Sequence, residues 1–402
     1  MITDALRAAV DAAYSAGTFP CAVVSARSGE EPPSFVYAAC PSSDPGQGTP
    51  AVPGVPGVPG GAPESWIFDL ASLSKPLATS LVALRAVEAG ALALDAPLSR
   101  YLPDAACSSL GATVREVMAH SAGLPPIPEL QRFFPDAASV DRDEAVRRLL
   151  AIEPDGPPGY GVAYSCTGFL LLGVALERLG GARLSELFRR QVAEPLGLSD
   201  GASPAGSDGP DPRVPKIGGA AAVATPVVPG APRAVATFRP SPGLEGLCVP
   251  TEECAWRGRR VRGEVHDESS YCMGGDGGNA GLFANLAGAE ALFGVWETGG
   301  GLLKPETVAA ARACATDGLG RRRGLGIQLH DGETCDTPAW PADSYGHTGF
   351  TGTCAWAAPA TAGRPRVAVV SLTNRVYRGR AQTAELIVAF RKALHGAVAG
   401  SL

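Results

Sequence analysis

The sequence predicts an α+β fold in which an antiparallel sheet is assembled from both ends of the chain, flanked by helices, with a mainly helical subdomain between. Three observations predict it. Short β-rich runs lie near the start at 21–26 and 34–39, and four more lie near the end at 325–330, 344–349, 354–359 and 366–372. The long middle carries apolar residues at helical spacing, and a helical pattern at each end, around 1–17 and 380–396, brackets the whole.

In chain order, MITDALRAAVDAAYSAG is amphipathic and carries Asp4 and Asp11, so it reads as a helix and not as a secretory signal. CAVVSA (21–26) and SFVYAA (34–39), separated by Arg27-Ser28-Gly29-Glu30, read as a hairpin. Residues 41–63 lose periodicity, and the VPGVPGVPG repeat at 52–60 has no apolar face to pack, so a Pro/Gly-rich surface loop is expected. From Leu70 to about Leu94, Leu77, Leu81, Leu84 and Val87 recur at three and four residues and mark a core-facing helix. Further helical patterns follow at 113–119, 143–152, 167–180 and 183–193, then a Pro/Gly/Ala-rich insertion at 201–245, then helices near 285–297 and 304–316. The expected division is a discontinuous sheet domain, 1–90 with 270–402, and a helical subdomain, 91–269.

Composition narrows the function classes. The chain of 402 residues has 18% charged residues, a net charge of −6 and no basic stripe, which argues against nucleic acid as a partner. Its ten cysteines are scattered without zinc-ligand spacing, and His266-Asp267-Glu268 cannot converge on one ion from a regular element, so no metal and no other cofactor is expected. The apolar stretch GFLLLGVAL (168–176) is far shorter than the ~18 residues of a membrane span, so no membrane association and a cytoplasmic location are expected.

One tetrapeptide carries chemistry. Ser72-Leu73-Ser74-Lys75 is an S-x-x-K, and Lys75 is one of only four lysines, at 75, 216, 304 and 392. The i, i+3 spacing puts both side chains on one helical face, and Pro76 confines the motif to a helix start, where free N–H groups stabilise an anion. A serine is a poor nucleophile without a base, and a lysine serves as one only if its surroundings lower its pKa, so a neutral or proton-sharing Lys75 is expected.

FDLASLSKPLATSLVAL, VREVMAHSAGLP (114–125), AYSCTGFLLLGVALERLGG (163–181), the segment 256–283 and YGHTGFTGT (345–353) together resemble the serine β-lactamase-related family. That family spans class C β-lactamases, DD-peptidases and esterase-like hydrolases with a common β-lactamase/transpeptidase-like fold. The resemblance implies Ser72 as nucleophile, and Lys75 and Tyr164 as the proton-transfer pair. The family's Tyr-x-Asn reads Tyr164-Ser165-Cys166 here, and its Lys-Thr-Gly reads His347-Thr348-Gly349. By the same resemblance Cys166, His347, Thr348, Gly349 and Phe350 line the substrate, with the N–H groups of Ser72 and Phe350 forming an oxyanion hole. His120 and the 266–268 segment read as structural.

The implied activity is hydrolysis of an ester or similar small acyl substrate through an acyl-enzyme on Ser72. Two alternatives stand beside it: a catalytically weakened binding paralogue, because the Cys166 thiol cannot replace an amide, and a DD-peptidase or β-lactamase-type amide hydrolase.

Overall fold

The computed structural model describes residues 2–29, 33–38, 62–199, 233–332 and 340–400. The VPG repeat and most of the 201–245 stretch lie outside these.

The main sheet has six antiparallel strands: β1 (Ala22–Ser28), β2 (Ser34–Ala38), β3 (Gln328–Leu329), β4 (Tyr345–Thr348), β5 (Cys354–Ala358) and β6 (Val367–Thr373). Their order across the sheet is β2-β1-β6-β5-β4-β3. β1 pairs with β6 from Ala22 opposite Thr373 to Ser28 opposite Val367, so the two halves of the sheet meet at its centre. All of β6 is buried, as the near-continuous apolar run VAVVSLT requires of a strand covered on both faces.

One face is covered by helices Ile2–Ser15 and Ala384–Ala399, through Leu6, Val10, Trp340, Trp356, Phe390 and Leu394. Phe19 meets Phe390 edge-on at 5.0 Å. The other face contributes Ala355, Val370 and Tyr345 to the larger core, which includes Leu73, Leu77, Leu81, Phe169, Leu170 and Trp296. The site lies along this second layer.

The segment predicted as one helix from Leu70 to Leu94 is a composite. A 3₁₀ turn, Ala71–Leu73, runs into a π-helical stretch, Lys75–Thr79, and only Ser80–Glu88 is α-helical. π turns free backbone carbonyls for other partners, and Pro76 O accepts from Trp296 Nε1 at 3.0 Å. Residues 325–330 shrink to the two-residue β3 at the edge of the sheet. Near the end of the 201–245 stretch, Ala236–Thr237 pairs with Phe283–Ala284, which also pairs with Phe68–Asp69. That small sheet fixes the strand leading into Ser72.

Candidate active site

Asp69, at the end of the small sheet, shapes the approach to Ser72. Its buried carboxylate accepts from Ala71 N at 2.7 Å and from His266 N at 2.6 Å. Burial pushes its pKa up, against these bonds. The first bond holds Ala71 at φ +48°, a left-handed conformation unfavourable for alanine, immediately before Ser72. Ser74 Oγ then donates to Ala71 O at 2.6 Å and accepts from Leu282 N at 2.9 Å, clamping the turn against the 277–282 segment.

Tyr164 and Cys166 are placed by a helix start. Ser165 caps the helix Cys166–Gly180, its Oγ accepting from Gly168 N at 3.0 Å, and Ser165 N donates to His120 Nδ1 at 3.0 Å. His120 itself sits at φ +59° just past the helix Val114–Met118.

These segments converge on Lys75, which is fully buried. Its Nζ donates to Ser72 Oγ at 3.1 Å, to Asn279 O at 3.0 Å and to Cys166 Sγ at 3.4 Å, and lies 4.8 Å from the centre of the Tyr164 ring. Lys75 and Ser72 both act on the Tyr164 hydroxyl to lower its pKa, against its burial. Three acceptors around one nitrogen suit an ammonium. Burial opposes the charge, but attraction to Cys166 and Tyr164 outweighs it and holds the Lys75 pKa above its ordinary value. Burial also raises the pKa of Tyr164, against the pull of the Lys75 charge, so the two groups titrate as a coupled pair.

On the opposite wall, β4 brings the His347 ring to 5.9 Å from Tyr164. His347 Nδ1–H donates to Thr348 O at 2.8 Å, leaving a buried Nε2 without a partner among the described residues. Burial, then the charges of Lys75 and Arg323, hold its pKa well below the usual histidine value, so the ring is neutral. Gly349 packs so closely that a Cβ would lie 2.0 Å from Thr353 Oγ1 and 2.4 Å from Leu70 O. Phe350 is 45% exposed at the rim, its ring stacked on His266 at 5.7 Å.

All eight residues named from the sequence thus fall on this one cleft: Ser72, Tyr164 and Cys166 around the Lys75 nitrogen, His347 beside Tyr164, and Thr348, Gly349 and Phe350 continuing along β4 and its turn. Three further groups escaped the sequence reading. Asn279 offers its carbonyl to Lys75 from a glycine-rich stretch without periodicity. His120 is not a fully satisfied structural histidine: its Nε2 is buried without a partner among the described residues, and its ring lies tilted against Tyr164 at 4.6 Å. Arg323, buried and with its Nε unpartnered among the described residues, lies near enough for its charge to act on His120, His347 and Tyr164. It belongs to an Arg-rich run that reads as solvated surface.

Glu252, Cys254 and Glu268 place three ligand atoms within 4.8 Å of one another near the rim. Arg380 already pairs with both carboxylates, so a guanidinium fills the position a cation would take.

The fold, with Ser72, Cys166 and Tyr164 gathered around a buried lysine, is that of a serine hydrolase of the β-lactamase type. The β-lactamase family model matches residues 36–392, and the chain belongs to that family. It is 26% identical over 329 residues to a putative D-alanyl-D-alanine carboxypeptidase of Escherichia coli (strain K12), covering 77% of this chain and 69% of that one. Over 331 residues it is 29% identical to an N-acetylmuramyl-L-alanine amidase of Bacillus subtilis (strain 168), covering 77% and 68%. Among solved structures, EstCE1, a hydrolase with promiscuous acyltransferase activity, superposes with a TM-score of 0.65 at 20% identity and 98% coverage of both chains. Simvastatin synthase (LovD) of Aspergillus terreus does so with a TM-score of 0.62 at 18% identity, again covering 98% of each. Among the described residues no helix is long and apolar enough to cross a membrane.

Proposed function

We propose that this protein hydrolyses an ester or similar small acyl compound through an acyl-enzyme on Ser72. The observation that carries the reading is the convergence of Ser72 Oγ, Cys166 Sγ and the Tyr164 ring on the Lys75 nitrogen. Ser72 Oγ attacks the acyl carbonyl while its proton passes to the Tyr164–Lys75 pair once that pair has lost one of its own. The pair returns the proton to the leaving alcohol as the carbonyl re-forms, and a water then repeats the sequence to release the acid. Cys166 supports an ester over an amide, since a thiol offers a substrate amide only weak hydrogen bonding.

A fluorophosphonate probe tests the reading, because capture needs an activated serine and mere binding does not. The expected results are an adduct on Ser72 and a loss of about a thousandfold in p-nitrophenyl ester hydrolysis in Ser72→Ala. A variant keeping more than a tenth of the activity would refute the assignment, and an unlabelled wild-type protein would favour the binding paralogue.

Arg323 favours a second reading. A buried guanidinium beside His347 and Tyr164 supplies the full positive charge that a neutral His347 lacks, and it suits a substrate with a free carboxylate, such as a peptide C-terminus. Cleavage of a D-alanyl-D-alanine dipeptide unit in preference to its carboxyl-amidated form, with the preference lost in Arg323→Met, would establish it over the ester reading.

A further inference from the structure

The turn Gly349–Thr353 follows β4 and carries Phe350, whose N–H is one of the two oxyanion donors in the reading above. The carbonyls of this turn have charged partners. Arg391, on the helix Ala384–Ala399, donates from Nη2 to Gly349 O at 2.8 Å and to Thr353 O at 2.9 Å. Arg375 donates from Nε to Phe350 O at 2.8 Å, and its backbone N–H reaches Thr351 O at 2.9 Å. Both guanidinium groups are buried, at 7% and 5% exposure, and neither forms an ion pair among the described residues. The same turn is tied to the strand leading into Ser72: Thr351 Oγ1 donates to Asp69 O at 2.7 Å and Thr353 Oγ1 to Leu70 O at 2.9 Å.

A buried guanidinium without a carboxylate is a costly way to satisfy a carbonyl, since a neutral donor would do as well. Its placement gives the charge a use. Gly349 C=O and Phe350 N–H are two ends of one planar peptide group, so a cation that draws electrons towards the oxygen polarises the N–H and makes it a stronger donor.

We propose that Arg391 is a positioning residue for acyl transfer: its hydrogen bond to Gly349 O polarises and aims the Phe350 N–H at the negative charge that develops on the acyl oxygen. Arg375 holds the outer side of the same turn. The proposal rests on the acyl-enzyme reading.

The test uses phenylboronic acid, which bonds through boron to a serine Oγ and presents a tetrahedral, oxyanion-like oxygen, alongside the carboxylic acid product as a planar ligand. Boronate affinity, kcat, KM, product affinity and thermal midpoint are measured for wild type, Arg391→Met and Arg391→Lys. In Arg391→Met, boronate affinity and kcat/KM are expected to fall together by about tenfold or more, with KM and product affinity held within about twofold. Arg391→Lys, which keeps the charge, is expected to restore both to within about threefold of wild type. A folded Arg391→Met protein that binds boronate like wild type overturns the proposal, as does a lysine variant as impaired as the methionine one. Should Arg391→Met not fold, Arg391→Lys decides: a tenfold loss of kcat/KM with boronate affinity unchanged overturns the proposal, and matched, small changes support it. Absence of boronate binding by the wild-type protein overturns the acyl-enzyme reading and this proposal together, whereas equal binding by wild type and Arg391→Met overturns this proposal alone.

Discussion

Glu252→Gln is expected to destabilise the protein strongly at neutral pH and much less in acid. Glu252 is buried, which pushes its pKa up, but hydrogen bonds from Arg380 Nε at 2.7 and 2.9 Å and the His266 contact at 3.1 Å outweigh burial and hold its carboxyl at about 2, from an ordinary 4.5. A depressed carboxylate contributes stability that is fully present above its unfolded value and lost as pH falls towards the folded one. The difference between the two values corresponds to about 3 kcal/mol at pH 7 and about 1.5 kcal/mol at pH 3, where the unfolded chain is already protonated. Glutamine has the shape of the protonated acid, so the gap between wild type and variant should follow those figures. Urea unfolding of both proteins at pH 7 and pH 3 measures it. A gap of the same size at both pH values would mean that the variant suffers from packing and not from lost charge, and a gap under about 0.5 kcal/mol at pH 7 would mean that the Arg380 contact does not hold in solution.

Three further outcomes follow from the site. Lys75→Arg keeps a charge but cannot act as a base, so its ester hydrolysis should be nearly as low as that of Lys75→Ala; activity equal to wild type would leave Lys75 a purely electrostatic part. Because the pKa values of both Lys75 and Tyr164 lie above their ordinary values, the pair is fully protonated at neutral pH, and kcat/KM should climb steadily from pH 7 to pH 9; a plateau reached near pH 6.5 would instead point to a histidine, although His120 and His347 are both held neutral. Cys166→Asn combined with His347→Lys should raise kcat/KM for nitrocefin more than for a p-nitrophenyl ester, by roughly a hundredfold in ratio, and wild-type turnover of nitrocefin at or above the ester rate would contradict the ester reading.

Much of this was legible in the residues, and the reasons for the rest are physical. Strands such as VAVVSLT and the helix start at Ser165 announce themselves by local pattern, and S-x-x-K brings its own geometry. The left-handed Ala71 has no such mark, because alanine is not the residue that backbone favours; only the Asp69 carboxylate, placed by a strand pair with Phe283–Ala284, holds it there. A two-residue strand at Ala236–Thr237 is too short for any period to show. Arg323 and Arg391 look like other arginines until distant segments close around them. The charge on Lys75 is a balance among groups brought together from residues 72, 164, 166 and 279, which no single motif contains.

The sheet order also sets a timetable for synthesis. β1 is made before its central neighbour, β6, which lies more than three hundred residues later. Ser72 and Lys75 are likewise made more than two hundred residues before the turn that approaches them and Arg391 behind it. Until then the apolar face of β1 and the hairpin edge must wait uncovered, and a pairing so distant in sequence is slow to close. On the proposed reading it also keeps a partly made chain from doing chemistry: the serine is made long before the wall that would complete its site.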